Sequence, residues 1–137
     1  MGVKAVASAK SVRASLRSPL GRARGLGSAK AGVGHWWAQR VTALALIPLT
    51  LWFVASVVSL AGASHGEVVA WLGRPHNAVL MLALVWATFW HAALGLQVVI
   101  EDYIRAEGLR LAAILAAKGM MLLMGLFAAL AVLKVAL

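Results

Sequence analysis

The chain has 137 residues, 63% of them hydrophobic and 12% charged, with a mean hydropathy of +0.90, which excludes an ordinary soluble domain. It contains no cysteine, so disulfides, thiolate chemistry and a protein-ligated iron–sulfur cluster in this chain are excluded. The formal net charge is +9, and eight of the thirteen Lys and Arg lie in residues 1–40, a segment without Asp or Glu. No nucleic-acid recognition module accompanies that charge, and a basic tail ahead of apolar runs is the pattern of a membrane protein.

Residues 1–34 carry Lys4, Lys10, Arg13, Arg17, Arg22, Arg24 and Lys30 among Ala, Ser and Gly. No apolar stretch separates these from a cleavage site, so the segment is not a secretory signal. Its Arg- and Ser-rich, acid-free composition resembles an organellar transit peptide. The plainer reading is a basic tail on the cytoplasmic or matrix side, touching anionic lipid or a partner subunit. Residues 35–137 are expected to form the membrane domain.

That domain opens with His35-Trp-Trp-Ala-Gln-Arg40, aromatic rings and a charge suited to the membrane interface. An apolar run follows at about 41–63, long enough to cross a hydrocarbon core of roughly 30 Å. Pro48 inside it should kink the helix unless neighbours or Thr50 satisfy the freed backbone. Residues 64–76 read as a short connection punctuated by Gly66, Gly73 and Pro75, with Trp71 at the interface. A second span at about 77–100 carries Trp86, Trp90 and His91. Residues 101–108 form a second connection, and a third span runs over about 109–133 with Lys118 inside it and Lys134 at its end.

The fold class is therefore an all-α membrane protein with three transmembrane helices, because open strands cannot cross a bilayer. The basic N-terminus belongs on the cytoplasmic or matrix side and the C-terminus on the opposite one. This arrangement gathers Arg40, Asp102 and Tyr103 on the inner side.

His91 is the residue that demands explanation. An ionisable group at membrane depth requires a partner in the bundle or a cofactor. One histidine makes no closed metal site, and a bis-histidine haem would need its second ligand from another subunit. Gly95, one turn on, either admits a flat macrocycle or lets two helices approach closely. Asp102 lies eleven residues after His91, close to three turns, so the two share a face about 16 Å apart. Asp102 and Tyr103 are either an ordinary span end or a surface substrate site, the hydroxyl donating to a bound carbonyl and the carboxylate tuning it or relaying protons. Arg40 is either a positive-inside residue or the partner of a carboxylate such as a haem propionate. His35, His65 and His76 fall outside the spans as solvated or interfacial residues. A proton-linked transport component or a non-redox scaffold stays open on these features alone.

Three stretches together resemble a known family, the hydrophobic membrane anchor (the D-type small subunit) of succinate dehydrogenase, respiratory complex II. They are His91-x3-Gly95-x-Gln97-x4-Asp102-Tyr103, then His35-Trp-Trp-Ala-Gln-Arg40-Val-Thr-Ala, and the basic approach Ser18-Pro-Leu-Gly-Arg-x-Arg-Gly-Leu-Gly-Ser-Ala-Lys30. The last is similar to α-proteobacterial members, and the resemblance covers about residues 18–135.

It implies that His91 is one axial ligand of the iron of haem b, the other coming from a C-type cytochrome b anchor subunit. Tyr103 would hydrogen-bond the ubiquinone carbonyl, Asp102 would support that site, and Arg40 would lie near a haem propionate. FAD and the iron–sulfur clusters would sit in a flavoprotein subunit and an iron–sulfur subunit docked on the inner face. The assembly would carry electrons from succinate to quinone, linking the tricarboxylic acid cycle to the respiratory chain at a bacterial inner membrane, with the mitochondrial inner membrane the alternative. Alone, the chain would not oxidise succinate. The nearest alternative is the anchor of a quinol:fumarate reductase or another b-type cytochrome complex.

Overall fold

The computed structural model describes residues 29–137, so most of the basic segment read at 1–34 lies outside the described residues. Four helices follow in order: α1 (Ala29–Ser59), α2 (His65–Leu72), α3 (Pro75–Tyr103) and α4 (Glu107–Ala136). Residues His35–Leu137 form one compact unit. Gly32–Ser59, Pro75–Tyr103 and Glu107–Ala136 are each long and apolar enough to cross a membrane. At 28 to 30 residues they reach about 42–45 Å, so their ends extend past a hydrocarbon core of roughly 30 Å. The chain is a three-span helical membrane protein.

The helices outrun the apolar spans because a helix does not stop where hydrophobicity does. α1 begins well ahead of residue 41 and ends at Ser59, before the expected 63, in a turn whose Gly62 adopts φ +84°. That left-handed conformation suits a residue without Cβ. α1 runs unbroken through Pro48, and the Thr50 hydroxyl donates to the Leu46 carbonyl one turn back. At the other connection only Ile104, Arg105 and Ala106 separate α3 from α4. Asp102 and Tyr103 therefore stand on the last turn of α3 rather than in a loop.

The stretch expected as a plain connection holds α2, and its caps explain why. The Ser64 backbone N–H donates to Glu67 Oε2 at 2.7 Å, while the Ser64 hydroxyl oxygen accepts from the Glu67 N–H at 3.4 Å. This reciprocal capping box satisfies two otherwise open donors. At the far end, Asn77 of α3 donates its amide to the Trp71 carbonyl at 2.7 Å and is almost fully buried. Trp71 also stacks on Trp52 of α1, ring centroids 5.7 Å apart.

α3 is the central element. All of the buried side chains among the described residues, Asn77, Leu84, Ala87 and Leu94, belong to it. Small residues permit the close packing that lipid solvent does not otherwise drive: a Cβ on Gly125 of α4 would stand 3.4 Å from the ring and Cβ of Phe89. The outer faces of α1 and α4 expose Leu44, Leu51, Val58, Leu122, Phe127 and Leu130, as lipid-facing surfaces do.

The contacts also fix the alternation of the helices. Gln39, near the start of α1, reaches Gly95 in the last third of α3. Trp52 meets α2 at the opposite end, where the Ala136 carbonyl approaches Gly73. Arg40, Asp102 and Tyr103 thus gather at one end of the bundle, and the C-terminus lies at the other.

Candidate functional site

His91 sits on the face of α3 turned towards α1. Its Nδ1 lies 2.9 Å from the Thr42 hydroxyl oxygen, and its Nε2 lies 3.4 Å from the Gln39 side-chain nitrogen. Both partners come from α1, where His35, Gln39 and Thr42 follow at spacings of four and three and so line one face. The partner that an intramembrane histidine requires is therefore a polar stripe on the neighbouring helix. The stripe is not saturated, because Gln39 Oε1 and His35 Nε2 are buried without hydrogen-bond partners. His35, expected as a solvated or interfacial side chain, is half-buried. His65 and His76 are exposed.

Gly95 adds shape to this corner. A Cβ there would stand 3.6 Å from the Gln39 amide nitrogen, an ordinary contact, so the amide packs directly over residue 95. Beside Nε2 there is consequently one long, flexible side chain over a glycine. Among the described residues no three His, Cys, Asp or Glu side chains gather as a metal site, so any metal bound by His91 must find further ligands on a cofactor or another chain.

The second group lies three turns away. Asp102 and Tyr103 are exposed, Tyr103 to 84%. Gln97 donates to Glu101 at 2.7 Å, and its own Oε1 is buried without a partner. Carboxylates at Glu101 and Asp102 oppose the helix dipole, which disfavours negative charge at a C-terminus. A breach of a local rule at an exposed helix end is expected where function outweighs stability. Arg40 is also exposed, its guanidinium 5.5 Å above the Trp36 ring. Among the described residues no hydrogen bond or ion pair joins Arg40, Asp102 and Tyr103; they share an end of the bundle and an open surface.

A separate apolar cavity of about 370 Å³ lies between α3 and α4, walled by Trp86, Phe89, Trp90, Met121 and Leu126, with Lys118 on its lining. Phe89 and Trp90 project from α3 away from His91, at about 100° per residue. The cavity is therefore distinct from the His91 corner.

The chain matches the succinate dehydrogenase/fumarate reductase transmembrane subunit family over residues 14–133. It belongs to that family. It is 38% identical over 102 residues to a succinate dehydrogenase hydrophobic membrane anchor subunit of Rickettsia bellii, covering 74% of this chain and 82% of the relative. The subunit of the same name from Paracoccus denitrificans is 38% identical over 98 residues, 72% of this chain and 75% of that one. A succinate dehydrogenase membrane anchor subunit of Reclinomonas americana is 34% identical over 88 residues, 62% and 73% respectively. No solved structure matches the chain. Within this anchor family, the Thr42–His91 contact and the half-buried His35 are features that the apolar pattern alone did not reveal. Their only trace in the sequence is the 35/39/42 spacing of polar residues at the start of an apolar helix.

Proposed function

We propose that this chain is the D-type anchor of a succinate:quinone oxidoreductase in a bacterial inner membrane, that it ligates haem b through His91, and that it builds part of a quinone site with Tyr103. The family supports the anchor role. The observation that carries the haem reading is the His91 corner: one ring nitrogen is held by Thr42, and the other faces a displaceable amide with an orphaned carbonyl over a glycine. These residues fit the edge of a flat macrocycle. In this reading a C-type cytochrome b anchor would supply a second ligand to the haem iron.

When bound, the haem supplies a one-electron redox centre within the membrane. The protein residues do the rest. His91 would hold the iron, and Arg40, exposed at the interface, would pair with a propionate. About three turns from His91, the Tyr103 hydroxyl donates to a ubiquinone carbonyl, which strengthens as negative charge develops on that oxygen. Asp102 supports the hydroxyl and passes protons from the aqueous surface. Reduction to quinol takes two electrons and two protons; the electrons would come from succinate through the FAD and iron–sulfur clusters of two partner subunits docked on this end. The quinol:fumarate direction would use the same residues.

The test is a reduced-minus-oxidised optical spectrum of the complex that copurifies with this chain, in wild type and His91→Ala. A b-type signal present in wild type and absent in the variant supports the ligand assignment. Full haem occupancy in His91→Ala overturns it.

A further inference from the structure

We propose that Thr42 is a positioning residue for haem ligation: it fixes the ring tautomer of His91 so that Nε2 presents its lone pair. The inference rests on the reading of His91 as a haem ligand and adds to it a role for α1.

The argument is a count of protons. The Thr42 hydroxyl has a single hydrogen, and its oxygen lies 2.8 Å from the Ala38 carbonyl, 3.1 Å from the Gln39 carbonyl and 2.9 Å from His91 Nδ1. Both carbonyls can only accept, so that hydrogen goes to the backbone, as it does for threonines within helices. The hydroxyl can then satisfy His91 only by accepting, which puts a proton on Nδ1. The other nitrogen agrees: Nε2 faces an amide nitrogen, a donor, at 3.4 Å and therefore serves as the acceptor. The Thr42 contact selects the tautomer with Nδ1 protonated and Nε2 bare, and the Gln39 contact is compatible with it.

A ligating histidine that donates its second N–H has a fixed ring orientation and greater basicity. In most proteins a carboxylate or a backbone carbonyl accepts that proton. Here a hydroxyl accepts it, itself anchored to a helix that carries no part of the His91 backbone. Beside Arg40 and Gln39, α1 would thereby contribute a third group, the Thr42 hydroxyl, to the haem pocket.

The experiment compares Thr42→Val, Thr42→Ser and Thr50→Val in the assembled complex. Thr50 makes the same kind of back-bond, to Leu46, without an imidazole beside it, so it controls for helix effects. Haem loss to apomyoglobin and the haem midpoint potential are measured in each. Thr42→Val should lose haem about 10- to 100-fold faster and show a raised potential, with Thr42→Ser and Thr50→Val close to wild type. Thr42→Val matching wild type in both, or Thr42→Ser behaving as Val, overturns the proposal.

Pulsed EPR of the oxidised wild-type haem, in H2O and D2O, tests the tautomer even where Thr42→Val does not assemble, and Thr42→Ser then tests the role of the hydroxyl. An exchangeable proton on the remote ring nitrogen is expected, and its absence overturns the tautomer. A haem retained in His91→Ala would instead sink the ligand reading itself, whereas a haem lost there beside an unchanged Thr42→Val sinks the role of Thr42 alone.

Discussion

Thr42 and His91 are 49 residues apart in the chain, yet their Oγ1 and Nδ1 atoms lie 2.9 Å from each other, the shorter of two polar contacts that tie α1 to the central helix through His91. Hydrophobic pressure does not hold helices together in lipid, so such polar contacts and close small-residue packing define the bundle. α1 uses the first device and α4 the second.

The α4 side yields the first prediction. With a residue-125 Cβ already 3.4 Å from Phe89, alanine at this position makes an ordinary contact, while a larger side chain must push the helices apart. Gly125→Ala should be tolerated. Gly125→Leu should destabilise the bundle by about 1–3 kcal/mol, the usual range for overpacking. Detergent-titrated unfolding of the two variants checks this, and equal midpoints would show that α3 and α4 do not pack through this pair.

Much of this architecture was legible in the chain. Three long apolar runs admit only helices in a bilayer, and His91 stood out because an ionisable residue at depth is expensive. The helix ends were less legible, since hydropathy reports burial in lipid and not where hydrogen bonding stops; α3 carries on through Glu101, Asp102 and Tyr103. α2 was hidden in a stretch read as punctuation, although Ser64 and Glu67 have capping-box spacing. Thr42 and Gln39 were hidden more deeply. Both residue types are common near helix starts, and only the tertiary arrangement reveals which imidazole they face.

Asn77 gives a second prediction. Its side chain is almost fully buried, and its amide caps the Trp71 carbonyl at the end of α2. Asn77→Ala leaves that carbonyl unpaired and should destabilise the α2–α3 junction by about 1–3 kcal/mol. Hydrogen exchange should accelerate over residues 65–74 and stay unchanged across the middle of α4. Uniform acceleration throughout the chain would assign Asn77 to global stability instead.

The quinone reading makes a third. Tyr103 is exposed at the end of α3, so replacing its hydroxyl perturbs no internal contact. Tyr103→Phe should keep the haem spectrum and thermal stability while slowing quinone reduction about tenfold, the rate equivalent of one hydrogen bond of about 1.4 kcal/mol. Steady-state succinate–quinone assays set beside a quinone-independent dye acceptor separate this from a general loss of activity. Unchanged quinone kinetics remove Tyr103 from the site.

The α2 cap should respond to acid. The Glu67 carboxylate accepts from the backbone N–H of Ser64 and from its hydroxyl, and these bonds hold its pKa below the usual 4.5, the backbone bond contributing most. A carboxyl group with a depressed folded-state pKa binds protons less readily folded than unfolded. Its stabilisation is therefore complete above the unfolded pKa and is lost as pH falls through the folded value. Neutral pH lies on the plateau, so the Glu67 contribution should not change across about pH 6–8 and should be lost only well into the acid range. The stacked Trp52–Trp71 pair is a built-in reporter of that loosening. Its fluorescence should change on acidification in wild type, while Glu67→Gln should remove the transition, because the amide does not titrate. Ser64→Ala, which deletes the hydroxyl bond but keeps the backbone one, should move the midpoint upward by less than complete loss of the cap would. A transition surviving intact in Glu67→Gln would place the acid-sensitive group elsewhere.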